Sequence, residues 1–363
     1  MSVHRERSRD PGDRRPHVLA ARLDSVGDVL LQGPAIRALT ASARRVTVLA
    51  GPRGAPAAQL LPGVDEVLTF RAPWIDPEPE PVDAAQVAAL VRRVRALAPD
   101  VAVVFTSFHQ SPLPLALLLR LAGVPRVGAI SEDYPGTLLD VRHRVPDGMH
   151  EVERALSLAE AMGFSPPPGD DLRLRLRTGA RRPPALRDRD GYVVLHVGAS
   201  APARAWPGWR FAELAALLSG RGEEVVVTGA YAEVEVAHRV AGDLPGVVDL
   251  AGRTDLGELA AVLAGGRAVV CANTGPAHLA AAVGTPIVSL FAPVVPSARW
   301  RPWSVPHVLL GDQRAACAGT RARDCPVPGH PCLSGVTALD VAAALERLAD
   351  RHSEQASVPE MTG

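Results

Sequence analysis

The sequence predicts an α/β protein made of two doubly wound, Rossmann-like domains with parallel sheets, arranged in series. Three observations predict it. The chain has 363 residues, more than one ordinary hydrophobic core takes in. Short apolar runs alternate with stretches of helical periodicity, the pattern of a parallel sheet covered on both faces. That alternation stops at residues 179–190 (GARRPPALRDRD) and then starts afresh. The expected organisation is a disordered tail at 1–16, a first domain at 17–178, a linker at 179–190 and a second domain at 191–336, closed by a C-terminal helix at 337–351 and a polar tail at 352–363.

In the first half, residues 17–23 (HVLAARL) read as a buried strand. A helical stretch follows residues 24–28 and runs to about Ala41, with Pro34 expected to kink or split it. Strands are expected at 45–50 and 66–70, a Pro-rich loop up to Pro81, a helix at 83–97 and a strand at 100–105. In the second half, strands are expected at 191–197, 223–228, 267–272 and 286–291, with a short extended piece at 247–250. Helices are expected at 209–219, 232–241, 255–264 and 276–283.

Composition excludes several classes of partner. Formal net charge is zero, so no global field draws nucleic acid or an anionic membrane to the surface. The chain has no lysine, and all 39 basic residues are arginine. No apolar run reaches the roughly 20 residues of a membrane span, and the first residues do not read as a signal peptide. Four cysteines in a chain this long do not make a disulfide framework. The expectation is a cytoplasmic protein without a transmembrane segment, with peripheral membrane contact left open.

The segment Asn273-Thr274-Gly275-Pro276-Ala277-His278 sits between a strand and a helix start. Pro276 suits the first helical turn, whose N–H has no intrahelical partner. The free amides of such a turn, at the carboxyl end of a parallel strand, make an anion site. Asn273 and Thr274 equally suit a plain helix cap. Ser200 and Arg204 follow the strand at 191–197 and could reach the same anion, Arg as a bidentate donor. Glu233 follows the strand at 223–228, where an acid can accept from ribose hydroxyls, or simply begin a helix.

Five segments together resemble glycosyltransferase family 9, the ADP-heptose:lipopolysaccharide heptosyltransferases of GT-B fold. They are ARLDSVGDVLLQGPAIRAL at 21–39, HVGAS and RAWPGWRFAELAALL within 196–218, VVVTGAYAE at 225–233, DLAGRTDLGELAAVL at 249–263 and NTGPAHLAAAVGTPIVSLFAP at 273–293. The resemblance implies two Rossmann-like domains facing a central cleft, the first for the acceptor and the second for a nucleotide-diphosphate sugar. It implies an inverting, metal-independent transferase that needs no cofactor beyond that co-substrate. The donor it implies is ADP-heptose, and the acceptor a glycan or small-molecule hydroxyl.

Residue by residue, the resemblance makes Asp28 the catalytic base, within Ser25-Val26-Gly27-Asp28. It places Arg204 where the family has a diphosphate-binding Lys, Glu233 at the ribose, and residues 273–278 at the diphosphate. Asn273 replaces the family's Asp, which removes a charge from that turn. Ser25, Gly27, Ser107 and His109, with Arg126, are expected along the acceptor side. Cys317, Cys325, His330 and Cys332 offer a zinc-like donor set, but without a Cys-x-x-Cys pair. Two other readings stay open: a nucleotide-sugar epimerase on the same fold, and a non-catalytic nucleotide-sugar-binding homologue.

Overall fold

The computed structural model describes residues 13–177, 179 and 181–356. The first half runs β1 (His17–Arg22), α1 (Val26–Leu30), α2 (Gly33–Ser42), β2 (Arg45–Ala50), α3 (Ala55–Leu60), β3 (Glu66–Thr69), α4 (Ala84–Leu97), β4 (Val101–Val104), α5 (Leu113–Leu121), β5 (Arg126–Ile130), β6 (Val141–His143) and α6 (Glu151–Ala161). The second half runs β7 (Tyr192–His196), α7 (Gly208–Gly220), β8 (Val225–Thr228), α8 (Val234–Ala241), β9 (Val247–Asp249), α9 (Leu256–Gly265), β10 (Gly266–Ala272), α10 (Gly275–Ala282), β11 (Ile287–Leu290), α11 (Ser297–Trp300), β12 (His307–Leu310), α12 (Pro331–Ser334) and α13 (Ala338–Ala356).

Each half builds one six-stranded sheet, in the orders β3-β2-β1-β4-β5-β6 and β12-β11-β10-β7-β8-β9. Every pairing is parallel. The two halves are therefore doubly wound in the same sense. Strand order reverses between β1 and β4 in one sheet and between β7 and β10 in the other. Such reversals leave a crevice at the carboxyl ends of the strands, where open α/β sheets take ligands. Central strands β1 and β7 are buried along their whole length, which is why they read as largely apolar runs.

Several elements follow the expectation closely. Pro34 divides the first helical stretch: α1 stops at Leu30 and α2 starts at Gly33, with the proline in its opening turn. Asp83 caps α4 by accepting from the amides of Ala85 and Gln86. Other elements were not legible. Helix α5 (LPLALLLRL) is apolar almost all round, so periodicity cannot tell it from a buried strand. Strands β6 and β12 are only half-buried, and β12 forms the sheet edge.

Two expectations need correcting. Residues 231–233 form a 3-10 turn, and α8 begins only at Val234. Helix α13 runs to Ala356, past the expected end at 351 and into the expected polar tail. Within the expected linker, Pro184–Leu186 make a 3-10 turn, and Leu186 is fully buried. Of the expected disordered tail, residues 1–12 lie outside the described residues.

The chain leaving α6 is tied back to the first half before it crosses over. Arg37 on α2 grips Asp170 with two hydrogen bonds of 2.7 Å and adds one of 2.9 Å to the Arg173 carbonyl. Both side chains of the pair are largely buried. Truncating Arg37 would strand the carboxylate in a poorly hydrated site. Arg37→Ala is expected to destabilise the protein by about 2–3 kcal/mol, read as a lower urea midpoint at pH 7. An unchanged midpoint would mean that this clamp contributes nothing net.

Candidate active site

The loop after β1 carries the carboxylate of interest. Ser25 is extended and begins α1, and Asp28 lies in the first turn. Asp28 Oδ2 accepts from the Ser25 hydroxyl at 2.7 Å and the Ser25 amide at 3.3 Å. Helix capping and a chemical role are thus compatible in one side chain. Asp28 Oδ1 accepts from Arg22 Nη2 at 3.0 Å. Burial alone would raise the Asp28 carboxyl. The Arg22 guanidinium, the two Ser25 donors and His278 outweigh it and hold the group below the usual carboxylate range. Asp28 is therefore an anion at neutral pH.

On the other side of the seam, Thr274 is extended and opens α10, with Pro276 in the first turn. Among the described residues, three buried polar atoms around this turn lack hydrogen-bond partners: Thr274 Oγ1, His278 Nδ1 and Arg204 Nε. Leaving such groups unmet costs on the order of 1–3 kcal/mol each. An anion at this helix start would satisfy them together. Burial lowers His278 to about 4, so its ring is neutral at neutral pH and can donate or accept according to its tautomer. Burial also lowers Arg204, but the Asp28 carboxylate opposes this. That electrostatic interaction places Arg204, Asp28 and His278 in one neighbourhood drawn from both sheets.

The seam itself is a close approach of backbones. A Cβ on Gly27 would stand 2.8 Å from His278 Cδ2 and 3.3 Å from Gly275 Cα. Glycine at 27 therefore lets α1 and α10 meet through their opening turns, and this is its evident use in the structure.

Asn273 has a structural task that its identity explains. Its amide nitrogen donates to the Ala292 carbonyl and its amide oxygen accepts from the Ala292 N–H, both at 3.3 Å. The side chain is buried and ties the end of β10 to the chain leaving β11. A carboxylate could make only the second of these bonds. Arg204 Nη1 reaches the Asn273 carbonyl at 3.4 Å, so the turn and the arginine are joined.

Other expected site residues fall differently. The Glu233 carboxylate accepts from the Ala230 N–H at 2.5 Å and lies over Gly198. A Cβ at 198 would collide with that carboxylate, so the loops after β7 and β8 do converge. Ser200 is exposed on the loop after β7. Ser107 is buried, and its hydroxyl accepts from Arg22 Nη2 at 2.7 Å. It therefore braces Arg22. His109 is exposed next to it and packs edge-on against Phe108. Arg126 is exposed at the start of β5, the end of the strand remote from the crevice, so the expectation for it fails.

The cysteine loop does not assemble as a ligand set. Among the described residues no three His, Cys, Asp or Glu side chains form a metal-holding group. His330 engages Ala203 instead: its Nε2 lies 3.1 Å from the Ala203 carbonyl, while the Ala203 N–H donates to the Arg323 carbonyl. Cys317 and Cys332 are buried, and burial pushes the Cys332 thiol up to about 11. The loop instead holds the turn that carries Arg204.

Sequence reading missed Arg22, Asp24 and Glu151, which gather behind Asp28. The available signal was Arg22 itself, a charge at the end of a central, largely apolar strand.

Two parallel six-stranded sheets, each with its crevice at a strand-order reversal, are the architecture of the GT-B fold. The sequence profile of glycosyltransferase family 9 (heptosyltransferase) matches residues 87–329, and the chain belongs to that family. Lipopolysaccharide heptosyltransferase 3 of Escherichia coli is 30% identical over 257 residues, covering 64% of this chain and 72% of the relative. A family 9 glycosyltransferase from Veillonella parvula superposes with a TM-score of 0.73 at 18% identity, over 93% of this chain and 97% of its own. An E. coli heptosyltransferase solved with ADP-2-deoxy-2-fluoro heptose gives 0.67 at 22% identity, over 91% and 99%. The protein is a glycosyltransferase.

The glycine seam yields a direct test. Gly27→Ala forces the His278 ring or the α10 backbone to move, and overpacking of this kind costs about 1–3 kcal/mol. A correspondingly lower urea midpoint is expected, and a wild-type midpoint would show that the two helices part freely.

Proposed function

We propose that this glycosyltransferase moves heptose from ADP-heptose to a hydroxyl of a lipopolysaccharide-type glycan, with inversion and without a metal. One observation carries the reading: the Asp28 anion of one sheet interacts electrostatically with Arg204 and His278 of the other, and around them, among the described residues, Arg204 Nε, Thr274 Oγ1 and His278 Nδ1 lack hydrogen-bond partners. The relatives' names supply the donor and acceptor class.

In this reading the first half, residues 17–178, takes the acceptor, and the second, residues 191–336, takes the donor. Arg204 and the opening turn of α10, with His278, receive the diphosphate, and Glu233 receives the ribose. The acceptor oxygen attacks the anomeric carbon from the face opposite the diphosphate. Asp28 takes the hydroxyl proton as that bond forms. The bond from the anomeric carbon to the diphosphate oxygen breaks, and its electron pair leaves with ADP. Arg204 and the helix-start amides stabilise the charge that develops there, the task a metal performs in other sites. Ser25, Gly27 and His109 border the place where the acceptor would lie. Among the described residues no helix is long and apolar enough to cross a membrane, and we place the enzyme on the cytoplasmic side, where nucleotide sugars are made.

Asp28→Asn is the test. The amide keeps shape but cannot take the proton. ADP release from ADP-heptose with lipopolysaccharide core as acceptor should fall by about 10²–10⁴. ADP affinity, measured by calorimetry, should stay within about threefold, because the diphosphate contacts lie on the other sheet. Near-normal turnover in this variant would sink the assignment.

A further inference from the structure

Arg22, the last residue of β1, is 3% exposed, and its guanidinium stands among three carboxylates. Nε lies 2.8 Å from Asp24 Oδ2, Nη2 lies 3.0 Å from Asp28 Oδ1, and Nη1 lies 3.6 Å from Glu151 Oε2. Nη2 also donates to Ser107 Oγ at 2.7 Å, across the strand-order reversal between β1 and β4. A guanidinium does not give up its proton in a protein, so a permanent charge is fixed at this point.

The three acids do not share that charge equally. Burial raises Asp24 and Glu151, with Arg22 only partly opposing it. Asp28 moves the other way. Environments that push neighbouring acids apart in this manner separate one working carboxylate from its companions. Among the described residues, the hydrogen bonds to the Asp28 carboxylate come from Arg22 and Ser25. Other charged or titratable groups facing Asp28 act at longer range. They are His278 and Arg204 from the second half, His109 after β4, Glu151 on α6, and Asp24 with Arg53 near it.

We propose that Arg22 is a positioning residue for Asp28: it fixes the carboxylate's orientation against Ser25 and keeps it charged, with Ser107, Asp24 and Glu151 holding the guanidinium in place. The proposal rests on Asp28 being the base. Arg22 touches neither substrate; it acts through Asp28. A lysine at this position would keep the charge but could not bridge four partners at once.

The experiment has two readouts. Protein labelled with ¹³C at the aspartate carboxyls is titrated without substrate, and the Asp28 resonance is assigned by its loss in Asp28→Asn. ADP release from ADP-heptose, with lipopolysaccharide core as acceptor, is then followed against pH. In Arg22→Gln the Asp28 titration should move up by about one pH unit or more. The acidic limb of kcat should move the same way and kcat should fall about tenfold or more, with ADP affinity within about threefold. Arg22→Lys should restore part of both effects. Ser107→Ala, which alters no charge, should reduce kcat a few-fold and shift the limb slightly in the same direction; with Arg22→Lys it carries the test where Arg22→Gln does not fold.

An unmoved Asp28 titration, or an unmoved kcat limb while Asp28→Asn is inactive, overturns the role of Arg22 alone. Wild-type ADP release in Asp28→Asn overturns the base assignment, and the catalytic role of Arg22 falls with it.

Discussion

The molecule depends on a close approach between two helix starts. Gly27 of α1 and Gly275 of α10 come together with no side chain between them, and each belongs to a different sheet. Free amides gather at the opening turn of any helix and give it a partial positive charge. Two such turns facing each other repel unless negative charge lies between them. Asp28 supplies part of that charge from within α1's first turn. The rest of the arrangement is receptive to a further anion, because Arg204, Thr274 and His278 each hold a buried polar atom without a partner among the described residues.

This constraint explains why the polar residues stand where they do. Asp28 is ionised in a half-buried place, which ordinarily favours the neutral acid. A guanidinium behind it reverses that preference, and the acids on its other sides offset the cost of burying so much charge. The result is a polar core at the end of β1, where the sheet would otherwise be apolar. The second half is braced in a similar way. Asn273 ties the ends of β10 and β11 through Ala292, and its carbonyl meets Arg204. His330 and Arg323 then hold the turn that presents Arg204.

The halves also meet away from the seam. His150, which caps α6, accepts the Val152 amide on Nδ1 and places Nε2 3.0 Å from the Arg301 carbonyl. Trp303 lies over the His150 ring, with centroids 4.6 Å apart, and donates to the Leu172 carbonyl. Chain following α11 is thereby joined to the first half close to Glu151. The contact fixes the orientation of the first turn of α6, and so the carboxylate that faces Arg22.

Much of this was present in the sequence. Largely apolar strands, Pro34 in a helical stretch and the loss of periodicity at 179–190 determined two doubly wound halves, because parallel strands and helix starts follow local rules. The family's motifs drew attention to Asp28, Arg204, Glu233 and the turn at 273–278, because candidate site residues in such folds are sought at fixed offsets from the carboxyl ends of strands. What the sequence could not decide depends on contacts between residues far apart in the chain. Only the tertiary structure shows that Gly27 faces Gly275, that Ser107 holds Arg22, that Asn273 is occupied by Ala292, and that the cysteine loop grips Ala203. A side chain's partner is set by how the sheets pack, and no local pattern records that packing.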